Sequence, residues 1–138
     1  MTVVTCRWLE RNQFIQVGLT QTFNFFSDAF NLEVVTPSFL KFRILTPLAI
    51  EMRSGARIEC TLSLFGVPIR WRTGIIEWTP ERRFVDEQEM GPFAFWRHTH
   101  EFQSRYTATK IRDVVEYAEP FGVLGRLEHA RANIRFSA

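Results

Sequence analysis

A chain of 138 residues suits one domain, expected to span 1–138, and its 14 phenylalanines within a 46% hydrophobic composition predict a thick core or a pocket with aromatic walls. The net charge is +2, with fifteen arginines and two lysines scattered among twelve glutamates and three aspartates; no basic block forms, which speaks against a nucleic-acid partner. Two cysteines exclude a disulfide framework, no apolar run reaches the roughly twenty residues of a membrane span, and "MTVVTCRWLERNQF" places Arg7 ahead of any apolar run, so a cytoplasmic, bacterial-style protein is expected.

In chain order, "RWLERNQFIQVGL" reads as a strand with mixed alternation. "TQTFNFFSDAFNLEVVTP" has no strand alternation and predicts a short helix pair, with Thr20 capping the first helix, Ser27 or Asp28 the second, and Pro37 closing the pair. Three strands follow. "SFLKFRIL" alternates Leu40, Phe42 and Ile44 against Lys41 and Arg43. "ARIECTLSLFG" alternates Ile58, Cys60, Leu62 and Leu64 against Glu59, Thr61 and Ser63. "VPIRWRTGIIEW" alternates Ile69, Trp71, Thr73 and Ile75 against Arg70 and Arg72. A period of two with one polar face means a sheet wetted on one side, and the turn-like "FGVP" and "MGPF" favour antiparallel pairing. Arg70 and Arg72 are expected in cross-strand ion pairs on the wet face, and Cys60 as a small buried hydrophobe. After Pro120 and Gly122, Val123, Leu127, Ala130 and Ile134 fall at helical spacing. The expected fold class is α+β, with an antiparallel sheet of about seven strands, a short helix pair after the first strand, and a terminal helix across the apolar face.

The informative residues are the polar ones that alternation turns inward. In "FWRHTHEF", Arg97, Thr99 and Glu101 share the face suited to water, so Trp96, His98, His100 and Phe102 face the core. In "TKIRDVVEYAEP", Lys110, Arg112 and Glu116 go outside, which turns Ile111, Asp113, Val115 and Tyr117 inward. A four-residue link at "SRYT" would set His98 directly opposite Asp113, within reach of an imidazole–carboxylate hydrogen bond. Phe84, Asp86 and Gln88 share a face, and whether it matches the histidines depends on the turn at "MGPF", since a slip of one residue reverses it. A buried carboxylate is costly unless paired, and histidine is its natural partner.

These same stretches carry a resemblance. "FVDEQEMGPFAFWRHTHEF" followed by "TKIRDVVEYAEPFGVLG" resembles the SRPBCC superfamily, the START/Bet v 1-like helix-grip proteins, and within it the bacterial cyclase/dehydrase-like branch. "FFSDAFNLEVVTP" is similar to that family's early helix pair, and "GARIECTLSLFGVPIRWRTGIIEW" to its middle strands. The resemblance implies a sheet curved around a long C-terminal helix, with a cavity for an apolar or aromatic ligand. Here only thirteen residues follow Gly125, which implies a more open cavity or one closed by a second subunit.

Three functions are consistent with this pattern. The first is binding of a small hydrophobic, aromatic, polyketide-like or lipid-like molecule, with Trp71, Trp96, Phe102 and Tyr117 as apolar wall and His98, His100, Asp113, Asp86 and Gln88 as polar groups. The second is a polyketide cyclase or dehydratase with His98 or His100 as general base and Asp113 orienting it. The third is a protein-interaction module completed by a homodimer. Two histidines about 6.7 Å apart at Cα could also converge on an ion with Asp86 or Asp113. No cysteine pair or HExxH-type helix supports that, and the resemblance implies no metal and no cofactor, so neither is expected.

Overall fold

A computed structural model describes residues 6–29, 31, 41–46, 51–64 and 66–118. One strand, β1 (Cys6–Ile15), is followed by a helix, α1 (Leu19–Phe26), and then by β2 (Arg43–Ile44), β3 (Arg57–Leu64), β4 (Val67–Thr79), β5 (Arg83–Met90), β6 (Phe95–Arg105) and β7 (Ala108–Ala118). The strands form one seven-stranded sheet in the order β1-β7-β6-β5-β4-β3-β2, with every neighbouring pair antiparallel. From β3 onward, connections of two to four residues make successive strands neighbours, while β1 docks on the last strand. The second helix of the expected pair and the terminal helix with Val123, Leu127, Ala130 and Ile134 fall outside the described residues.

Thr20 does not cap α1. The N-cap is Gly18, in extended conformation and without a side-chain cap bond. Thr20 sits inside the first turn and its hydroxyl meets Glu81, whereas Thr22 donates to the Val17 carbonyl at 3.1 Å. What holds the helix is packing: Phe23 is buried and meets Trp78, Phe84 and Phe102 at ring-centroid distances of 5.4, 6.1 and 5.1 Å. Withdrawing a side chain of this size from water contributes about 1.5–3 kcal/mol.

The outer face of the sheet is an arginine–glutamate lattice. Arg70 and Arg72 both reach Glu59, at 2.7 and 3.6 Å, Arg97 reaches Glu87 at 3.1 Å, and Arg112 bridges Glu10 and Glu101 at 3.0 and 2.5 Å. The inner face is apolar and divides into two groups: Cys60, Trp71, Phe93, Trp96, Val115 and Tyr117 in one, and Phe23, Phe84, Phe102 and Ile111 in the other.

Two local features set which residues face inward and which stand opposite one another. The β4–β5 pairing jumps from Ile75↔Asp86 to Glu77↔Val85. This bulge leaves Ile76 exposed and returns Trp78 to the inner side opposite Phe84. The β6–β7 hairpin closes at Arg105↔Ala108, so its turn is Tyr106–Thr107, two residues rather than the four expected at "SRYT". Tyr106 adopts the left-handed conformation, φ 59°, with its side chain wholly in solvent, and the tight turn adds the Ser104↔Thr109 and Arg105↔Ala108 pairs to the ladder. Asp113 therefore stands opposite His100, and His98 stands opposite Val115.

Candidate functional site

Asp86, His98, His100 and Asp113 come from three adjacent strands and all point inward, each less than 9% exposed. In the register, Phe84, His100 and Asp113 share one row across the sheet, and Asp86, His98 and Val115 share the next. The hydrogen bonds run along the diagonals as well as along the rows. His98 Nε2 lies 2.8 Å from Asp113 Oδ1, His100 Nε2 lies 2.7 Å from Asp86 Oδ2, and His100 Nδ1 lies 3.3 Å from Asp113 Oδ1. The result is an alternating chain, Asp86–His100–Asp113–His98. Thr73 Oγ1 extends it into β4, lying 3.3 Å from Asp86 Oδ1 and 3.2 Å from the Glu87 carbonyl.

With a carboxylate at each ring nitrogen, His100 donates from both and is stabilised as the imidazolium. Burial alone would lower its pKa, but the hydrogen bonds to Asp113 and Asp86 outweigh that and raise it above the ordinary histidine value. Asp113 is the mirror case: burial pushes its carboxyl up, and the hydrogen bonds from His100 and His98 hold it well below the usual carboxylate range. Rings frame the chain. The two imidazoles stack at 3.6 Å, Phe84 stacks on the His100 ring at 4.1 Å, and Trp96 meets His98 edge-on at 6.4 Å.

Neither a family model nor a curated protein sequence matches the chain. Solved structures do. The Zhui aromatase/cyclase from Streptomyces sp. R1128 superposes with a TM-score of 0.67 at 14% identity, over 86% of this chain and 72% of its own. Ara h 8.0201 gives 0.67 at 10% identity, over 94% of this chain and 91% of its own. A START superfamily protein from Mycobacterium smegmatis gives 0.69 at 10% identity, over 94% and 92%. The fold is the START/Bet v 1-like helix-grip fold.

Within this helix-grip sheet, the residues singled out in the sequence are distributed in an ordered way. Trp71, Trp96 and Tyr117 belong to one aromatic group and Phe102 to the other, with the polar chain between them along β6. Gln88 stands apart. Its amide donates to the Phe93 carbonyl at 2.8 Å and accepts from the Phe93 N–H at 3.2 Å, so it braces the β5–β6 connection rather than joining the histidines. The pairing of His98 with Asp113 is present, but it is diagonal and not the directly opposed pair expected. Thr73, Phe84 and Phe93 are neighbours that sequence reasoning did not single out. Thr73 could have been found as the one polar residue in the inward register of β4, and Phe84 as the companion of Asp86; Phe93 sits in a loop, where no periodicity marks it.

Asp86, His98 and His100 also bring ligand atoms within 4.8 Å of one another, a spacing that could admit a metal ion. The rings are tilted by only 24°, however, so their in-plane lone pairs run side by side instead of converging. Shared protons explain the arrangement better than a shared ion does. Among the described residues, no helix is long and apolar enough to cross a membrane.

Proposed function

We propose that the protein binds a small hydrophobic molecule, aromatic, polyketide-like or lipid-like, against the inner face of the sheet. The observation that carries this reading is the buried chain Asp86–His100–Asp113–His98 lying between two aromatic groups. Burying ionised groups is expensive, and a well-packed apolar core of the same volume is often as stable or more so. Four polar side chains, a charged pair among them, in the middle of an apolar face are explained by a ligand that needs a polar handle among its apolar contacts. Trp71, Trp96, Phe102 and Tyr117 would form wall, and His98, His100, Asp86 and Asp113 the handle. Gln88 would shape the rim through Phe93.

A second reading is favoured by the His98–Asp113 bond and by the likeness in fold to a protein named as an aromatase/cyclase. In that reading His98, oriented by one carboxylate, is the general base of a cyclisation or dehydration, while His100, clamped as an imidazolium by two carboxylates, positions and polarises. One titration serves both readings. The native protein should take up the neutral probe N-phenyl-1-naphthylamine saturably, with a rise in its fluorescence; no saturable uptake would end the binding proposal. If the protein is a cyclase, His98→Ala loses turnover of a poly-β-keto substrate while probe uptake persists, and equal turnover in native and variant protein removes the catalytic reading.

A further inference from the structure

We infer that the ligand is an acid: an apolar body with a carboxylate received by Arg11 and an oxygen that accepts the indole N–H of Trp96. This rests on the binding reading above and names the chemistry of its ligand.

The first observation concerns Trp96. It is 0% exposed, and its Nε1 has no hydrogen-bond partner among the described residues. A buried N–H without an acceptor is a costly exception in a folded protein, and it sits here beside His98 on the inner face of β6. An acceptor oxygen on a bound molecule would remove the cost.

The second observation concerns charge. Six outer-face arginines, Arg57, Arg70, Arg72, Arg83, Arg97 and Arg112, each face at least one glutamate. Arg11 is placed differently. Its Cα pairs with that of Asp113 across β1 and β7, so its side chain leaves the sheet on the inner face. No ion pair forms between Arg11 and any described residue. The carboxylate that would neutralise it, Asp113, already holds His98 and His100 through Oδ1.

Together these leave the inner face offering a ligand a buried donor at Trp96 and a positive charge at Arg11. Asp86, His100 and Asp113 are engaged with one another, whereas the Trp96 N–H and the Arg11 guanidinium face no acceptor or carboxylate among the described residues. At the Arg11 end an amine would meet repulsion, whereas a carboxylate would gain a charge-assisted hydrogen bond. Arg11 lies on the edge strand and is exposed, so the acid group could stay partly hydrated while the body is buried. The register separates Trp96 from Arg11 by two strand spacings and four residues, about 16 Å at Cα. Long side chains close part of that distance, leaving a span suited to a body of roughly two fused rings.

The test compares 6-hydroxy-2-naphthoate with 2-naphthol, which has the same rings and oxygen but no acid, by fluorescence titration of the full chain. The native protein should bind the acid at least tenfold more tightly. Arg11→Gln should lose about tenfold for the acid and change 2-naphthol by less than twofold. Trp96→Phe should weaken both ligands alike, and unchanged affinities in this variant would refute the role of the indole. Equal affinity of the native protein for the two compounds, or an acid affinity unmoved by Arg11→Gln, overturns the inference while leaving hydrophobic binding intact. Binding of neither compound overturns both.

Discussion

His100 and Asp113 are two buried residues whose ionisation is tied to folding. Asp113 has a folded pKa held below its unfolded value of about 3.9, so its contribution is present above that pH and is lost as pH falls through the folded value. His100 has a folded pKa raised above its unfolded value of about 6.5, so its contribution is whole below that pH and is lost as pH rises through the folded value. The chain therefore stabilises the protein most between roughly pH 4 and 6.5. Urea unfolding across pH should show native stability greatest in that window. Asp113→Asn should cost about 3–5 kcal/mol there, because it leaves buried imidazoles without their shared carboxylate, and it should flatten the profile. A native profile with no such maximum, or a loss below about 1 kcal/mol, would show that the chain is not ionised as described.

At the scale of strands and turns, alternation was enough to place the residues on their faces. Trp96, His98, His100 and Phe102 on β6, and Ile111, Asp113, Val115 and Tyr117 on β7, all point inward as their spacing predicts. Their pairing was harder to read, because it depends on turn geometry that composition does not disclose. Tyr106 in a left-handed conformation shortens the hairpin and moves Asp113 from His98 to His100 in the ladder. Neither the bulge at Ile76 nor the bracing role of Gln88 leaves a periodic signal. The brace has a testable consequence. A Cβ added at Gly91, whose φ is not positive, would overlap Gln88 Oε1 and push that amide off Phe93. Gly91→Ala and Gln88→Ala should each cost about 1–2 kcal/mol, the worth of two hydrogen bonds, and the double variant should cost no more than either. Additive costs in a urea-unfolding cycle would mean that Gly91 acts elsewhere.

For the molecule as a whole, the strand run with segregated helices already pointed to an α+β sheet, and the resemblance around "FWRHTHEF" and "TKIRDVVEYAEP" to the helix-grip fold that the solved structures share. What could not be read was the assembly of four inward polar groups into one chain, since that needs β5, β6 and β7 in register at once. An aromatic interior interrupted by two histidines and two aspartates is the property on which the proposed ligand binding rests. Native mass spectrometry of the purified protein, before and after incubation with 6-hydroxy-2-naphthoate, tests it without a label or a variant. The expected result is a one-to-one complex that releases the small molecule on denaturation. A bare protein mass under both conditions would contradict it.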